Sequence, residues 1–197
     1  MNFLAHAYLS FDDPETIVGN MISDFVKGQQ KLTYPAGIQR GIQLHRLIDS
    51  YTDTHTATRS AKEIFRPAYR LYSGAFVDVV YDHFLAADET EFSEEALFAF
   101  SQRIYAVLEE YRPWLPERFA GMFNHMQAQN WLFHYRSLAG ARNSLGGLVR
   151  RAAYMSDSET AYQLFRGHYQ PLRDFYRQFW VDVKTFARGQ FDSLYSG

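Results

Sequence analysis

Residues 35–56 read PAGIQRGIQLHRLIDSYTDTHT. Pro35 suits the start of a helix. At about 100° per residue, Ile38, Ile42 and Ile48 gather on one face, while Gln39, Arg40 and Gln43 take the other. The spacing therefore predicts an amphipathic helix running to about Thr56. His45 and Asp49 fall inside its apolar sector, one turn apart. A carboxylate buried without a partner is costly, so this placement calls for a compensating charge.

The pattern recurs elsewhere. In residues 74–88, GAFVDVVYDHFLAAD, Asp78 and Asp82 share a stripe with Leu71, Ala75 and Leu85, and His83 points about 100° away. In the helix expected after Pro14, Ile17 and Met21 define the apolar face, and Asn20 and Asp24 flank it one turn apart. His6 follows Phe3, Leu4 and Ala5 in an otherwise apolar stretch. Taken singly, a His on an apolar face is usually a hydrogen-bonded core residue, and an Asp pair one turn apart is usually a solvated face or an ion-pair partner. Four segments bringing such groups inward are better explained together, by a divalent cation that takes imidazole nitrogen and carboxylate oxygen as ligands. His6, Asp24, His45, Asp82 and His83 are the expected ligands. Asp49, Asp53 and Asp78 are expected to orient a ligating imidazole or act as general base. Beside the cation, Arg46 or Lys27 is expected to neutralise charge on a phosphoryl group. Arg59 or Arg46 could hold a phosphate by bidentate hydrogen bonds. Mn²⁺, Mg²⁺, Fe²⁺ and Zn²⁺ all suit a His/Asp set. His55 and Arg59 follow Asp53 in what reads as a polar helix end. His125, His134 and His168 lack acidic partners at helical spacing and read as structural.

Around these segments the chain reads as helical throughout. Helices are expected over about 14–27, with Gly28 as the stop, then 35–56, 69–87, 93–112, 116–137, 144–155, 158–165 and 171–191. No run of alternating β-branched residues is bounded by turn dipeptides. The expected fold is all-α: a single-domain helical bundle without internal repeat. Its 197 residues suffice for one core, and 47% hydrophobic content is too high for disorder. The formal net charge of -2 excludes a nucleic-acid-binding polycation, so a charged partner must meet a local patch. The absence of Cys excludes disulfides, thiolate metal sites and a Cys nucleophile. Met1–Ser10 lacks the basic start of an export signal. No segment approaches the ~18 apolar residues of a membrane helix. A soluble cytoplasmic protein is expected.

Four motifs in order, MNFLAHAYLS (1–10), GNMISDFVKG (19–28), GIQLHRLIDSYTDTH (41–55) and VDVVYDHFLA (77–86), resemble the acyl carrier protein phosphodiesterase family. That family looks like a divergent branch of the HD-type metal-dependent phosphohydrolases. A weaker likeness continues through NWLFHY (130–135). Ala7 and Thr56 depart from the family pattern, and Asp82-His83 reverses the His-Asp order of ordinary HD proteins. The resemblance implies an HD-like core and a divalent metal, Mn²⁺ first. It also implies hydrolysis of the bond joining 4'-phosphopantetheine to a serine of holo acyl carrier protein. Carrier proteins are acidic, so the docking surface should be basic. Arg136, Arg142, Arg150 and Arg151, beside Leu145, Leu148 and Val149, are expected to supply it. Two other readings stay open: an HD-type enzyme acting on a nucleotide or another small phosphoester, and a non-catalytic helical binding protein with buried His/Asp pairs. No G-x-S-x-G or P-loop signature is present.

Overall fold

The computed structural model describes residues 1–151 and 157–196, and the side chains of 1–150 and 157–196. Among them all regular structure is helical. The far end of the helix expected over 144–155, and the Arg151 side chain, lie outside the described residues.

The fold is organised around a close helix pair. Helix α2 (Pro14–Ile22) follows α1 (Phe3–Tyr8) and starts where Asp13 accepts the Thr16 N–H at 2.8 Å, with Pro14 in the first turn. It packs on α3 (Ala36–Thr54). Gly19 and Gly41 meet at the crossing. A Cβ at Gly19 would stand 2.1 Å from the Ile38 carbonyl oxygen, and one at Gly41 would stand 2.5 Å from that of Thr16. Only hydrogen at both positions lets these backbones touch.

Around the pair lie α4 (Thr56–Tyr69), α5 (Ser73–Ala86), α6 (Glu94–Glu110), α7 (Glu117–Ala128), α8 (Trp131–His134), α9 (Leu138–Arg151), α10 (Glu159–Gly167) and α11 (Tyr169–Ser196). α11 crosses α3, α4 and α5. Its Leu172, Tyr176, Phe179, Val183 and Ala187 recur at three- and four-residue spacing and are buried. No helix among the described residues is long and apolar enough to cross a membrane.

Several boundaries differ from the sequence expectation for local reasons. α2 stops at Ile22, and the chain continues through a 3₁₀ turn, Ser23–Phe25, into extended Val26. The expected helix over 116–137 breaks at Asn130, whose φ of 44° is left-handed, a conformation Asn tolerates. α4 went unread. Its stripe is Ala57, Ala61, Phe65 and Tyr69, a strict four-residue spacing, but two members are only Ala and Pro67 sits in the last turn. α1 was also unread, because six residues carry too little periodicity to register.

Candidate metal centre

Short-range structure aims three side chains at one point. His6 leaves the middle of α1, and His45 and Asp49 leave one face of α3 a turn apart. Because α2 presses against α3 at the glycine crossing, the Asn20 carbonyl oxygen reaches His45 and accepts its Nδ1–H at 2.7 Å. That bond fixes the ring and directs Nε2 into the centre. His45 Nε2 lies 3.1 Å from Asp49 Oδ2 and 3.4 Å from Asp24 Oδ1, and His6 Nε2 lies 3.1 Å from Asp49 Oδ1. The two imidazoles stack, with centroids 3.8 Å apart and planes inclined by 12°. One ligand atom each from His6, His45 and Asp49 falls within 4.8 Å of the others, the spacing a single cation needs.

The polar groups fit such a cation. His45 Nε2 is buried and aligned for a hydrogen bond with neither carboxylate near it, and the buried His6 Nδ1 has no partner. Buried imidazole nitrogens normally find partners. Nitrogen and oxygen donors without thiolate suit Mn²⁺, Fe²⁺ or Zn²⁺.

Electrostatics divides the two histidines. Burial pushes His45 down, but Asp24 and Asp49 outweigh it and raise it to about 9. Burial and the neighbouring His45 charge push His6 well below the usual histidine value. Burial favours the neutral form of Asp49, yet the Met1 ammonium and the two imidazoles hold it far below the ordinary carboxylate range. That ammonium lies 3.0 Å from Asp49 Oδ1 and 3.2 Å from Asp78 Oδ1, linking Asp78 to the cluster. Burial pushes Asp78 up. Asp24 is the exposed member, at 73% side-chain exposure, and sits on the 3₁₀ turn after α2. Its contact with His45 holds it below the usual carboxylate range.

A family model described as acyl carrier protein phosphodiesterase matches residues 1–183. The chain belongs to the acyl carrier protein phosphodiesterase family. Relatives bearing that name include one from Photorhabdus laumondii, 33% identical over 181 residues, covering 91% of this chain and 90% of the relative. One from Yersinia pestis is 31% identical, covering 95% and 98%, and one from Enterobacter is 32% identical, covering 96% and 99%. No solved structure gives a significant match.

Three of the four motifs that carry the family likeness meet at the cluster, supplying His6, Asp24, and His45 with Asp49. The fourth approaches it through Asp78 alone. Asp82 and His83, expected among the ligands, are placed elsewhere. Asp82 is fully buried, and its two oxygens accept the N–H groups of Leu4 at 2.8 Å and Ala5 at 3.1 Å. It anchors the first turn of α1, the position where a helix N-terminus favours an anion. Burial raises it to about 7 despite those bonds. His83 faces the other side of α5. Its Nδ1 meets the Tyr135 carbonyl oxygen at 2.8 Å and so carries the proton, and its Nε2 accepts from the Tyr169 hydroxyl at 3.0 Å. Aromatic rings of Phe84, Phe165 and Tyr169 surround it, and burial lowers it to about 4, so it is neutral. Both its nitrogens are occupied.

Other expected residues also sit apart from the cluster. Asp53 is exposed and pairs with Lys62 at 2.7 Å. Arg46 is exposed and donates to the Val26 carbonyl oxygen at 3.1 Å, bracing the turn that carries Asp24. Of the expected docking arginines, Arg136 pairs with Glu94 at 2.5 Å and Arg142 with Glu159 at 2.6 Å, while Arg150 is exposed. Leu145 and Val149 beside them are buried in the core rather than offered to a partner. The sequence places Asp49 beside His45, as an orienting group or general base, and not among the ligands. Its central position arises because it also meets His6, from 43 residues away.

Proposed function

We propose that this chain hydrolyses the phosphodiester between 4'-phosphopantetheine and a serine of holo acyl carrier protein, at a divalent-cation centre made by His6, His45 and Asp49 with Asp24 at its exposed edge. The products are apo carrier protein and free 4'-phosphopantetheine. The observation that carries this reading is the convergence of the His6, His45 and Asp49 ligand atoms within 4.8 Å of one another, in a chain of this family. A bound divalent cation supplies positive charge for the phosphoryl oxygens and activates water near neutral pH. Mn²⁺ is the ion we favour. Kinship with the HD-type hydrolases, resting on the His/Asp donor set, belongs to the same proposal, as does a cytoplasmic location.

The chain's own groups take distinct parts. Asn20 holds His45 in orientation through its carbonyl oxygen. Asp24 is held anionic, which suits it to binding a cation rather than to taking a proton. Asp78, pushed up by burial, is the stronger base and is the group placed to hold a proton beside the centre. Arg46 keeps Asp24 in place through Val26. For docking the acidic carrier protein, Arg150 is an expected arginine that is exposed, and it lines a groove that also holds Asn2 and Phe3. The described geometry gives less support to Arg136 and Arg142, which are already paired within the chain.

The test is the mass of holo acyl carrier protein before and after incubation with the chain and Mn²⁺, beside a panel of nucleotides. Loss of the prosthetic group, abolished by Asp24→Ala, is expected. Unchanged carrier protein, or turnover of nucleotides only, would overturn the assignment.

A pH dependence follows from His45. Without a cation it stays protonated up to about pH 9, and only neutral imidazole can ligate. His6, lowered by burial, needs no such release near neutrality. Mn²⁺ uptake at neutral pH should thus expel about one proton, and affinity should rise about tenfold per pH unit between about pH 6 and 8. It should level off above the His45 value. Titration of Mn²⁺ in weakly buffered solution with a pH-indicator dye measures both. Uptake without proton release would remove His45 from the ligand set.

A further inference from the structure

A large cavity lies apart from the cluster itself. It is an open groove of about 1030 Å³ lined by residues of α7, α8 and α9 and, at the end nearest the cluster, by Asn2 and Phe3. The cation cluster begins one helical turn beyond that end, at His6. The same junction is tied by aromatic contacts. Phe119 of α7 meets Phe3 at 6.4 Å and Phe25, the neighbour of Asp24, at 5.3 Å. Asn2 donates to the Tyr135 hydroxyl at 2.8 Å, which fixes the groove's end against α8.

We infer that this groove receives the pantetheine arm of the substrate, with the phosphate end at the Phe3 side and the thiol end running along α7 and α9. The inference rests on the phosphodiesterase reading above and adds a binding site to it. Its first support is position, since Asn2 and Phe3 line the groove and the adjacent Met1 ammonium lies 3.0 Å from Asp49 of the cluster. Its second is chemistry. The arm alternates amide groups with methylenes and a dimethyl carbon. The groove likewise sets the amides of Asn143 and Gln129 among the apolar surfaces of Phe3, Met122 and Trp131. Both amides are exposed, and the Gln129 oxygen accepts from the Trp131 ring N–H at 3.0 Å while its NH₂ group stays open to a ligand carbonyl. The lining is mixed in charge, with Arg118 and Arg150 beside Glu117, so one end of it suits a single phosphate while most of it is neutral. The volume is of the size that encloses a ligand larger than a single nucleotide base. His125 and His134, which the sequence marks as structural, are exposed in this lining.

Gly121 makes the inference testable. It lines the groove on α7, and a Cβ there meets nothing within 4 Å. Gly121→Trp therefore starts its side chain in open space at the groove and is expected to obstruct it, and it replaces a poor helix former with a better one. The probe is pantetheine, titrated by calorimetry and by amide chemical shifts into the cation-free protein. Wild type should bind it, with shifts confined to α7–α9, and Gly121→Trp should weaken it at least tenfold. With Mn²⁺ present, Gly121→Trp should raise KM for holo acyl carrier protein about tenfold or more. It should leave hydrolysis of bis(4-nitrophenyl) phosphate, a diester without the arm, within twofold of wild type. No pantetheine binding by wild type, shifts outside the groove, or an unchanged KM would each overturn the inference. Equal loss on both diesters would overturn it as well, by showing that the variant damages the centre. Pantetheine binding in the groove by a chain that cleaves neither diester would uphold the site while the hydrolase reading fell.

Discussion

Asp49→Asn is expected to lower kcat/KM for holo acyl carrier protein by about 10³-fold and to weaken Mn²⁺ binding by a comparable factor. Among the described residues, Asp49 is the carboxylate that lies 3.1 Å from both imidazoles, and it also neutralises the Met1 ammonium. The amide keeps the shape and removes the charge, leaving two imidazoles and an ammonium without their shared counter-ion. A cation entering that environment meets repulsion where the native protein offers attraction. The loss corresponds to about 4 kcal/mol at 1.36 kcal/mol per decade, the several kcal/mol attributed to one charged partner in a metal-assisted reaction. The neighbouring Asp53 provides the contrast. It is exposed and paired with Lys62, so Asp53→Asn should stay within about twofold of wild type. Steady-state kinetics on holo carrier protein and Mn²⁺ titration of both variants decide this. Full activity in Asp49→Asn would place the cation elsewhere, and a severe loss in Asp53→Asn would return Asp53 to the catalytic group.

Gly19→Ala is expected to destabilise the fold by about 3 kcal/mol, at the upper end of ordinary overpacking. For a chain of this size that lowers Tm by roughly 6–12 °C. The added Cβ would stand 2.1 Å from the Ile38 carbonyl oxygen and 2.8 Å from the Gly41 Cα, which are backbone atoms and cannot rotate away. α2 and α3 must separate. Separation also draws the Asn20 carbonyl from His45 and shifts Asp24, so Mn²⁺ affinity should fall with stability. Gly189→Ala, in α11 with nothing within 4 Å of its Cβ, should instead stabilise by up to about 1 kcal/mol through helix propensity. Thermal melting with and without Mn²⁺ reads both. A Gly19→Ala protein with native Tm and native Mn²⁺ affinity would show that the helix contact does not govern the centre.

The sequence was most legible where structure is local. The apolar face of residues 35–56 was correct, and so was the placement of His45 and Asp49 on it, because helical period alone sets the direction of a side chain from its axis. The same period turned Asp78 and Asp82 inward, and both are indeed directed into the protein. Periodicity did not reveal that they reach different targets. Asp78 meets an ammonium, whereas Asp82, one turn on, meets the N–H groups that open α1. An unread helix supplied those donors. With α1 invisible as a helix, a buried carboxylate opposite it looked like a cation ligand. His83 misled similarly, since a His beside an Asp in a family motif reads as a ligand until Tyr135 and Tyr169 are seen to occupy both nitrogens.

By itself, then, the sequence determined the helical class, the family, and the inward direction of His6, His45 and Asp82, though not the exposure of Asp24. These follow from side-chain period and from motifs carried within single segments. Only the tertiary structure decided which of those groups share a point in space. His6 finds Asp49 across 43 residues, and Leu4 finds Asp82 across 78. Such meetings depend on how helices cross, and here the crossing is set by two glycines whose missing side chains let α2 and α3 touch.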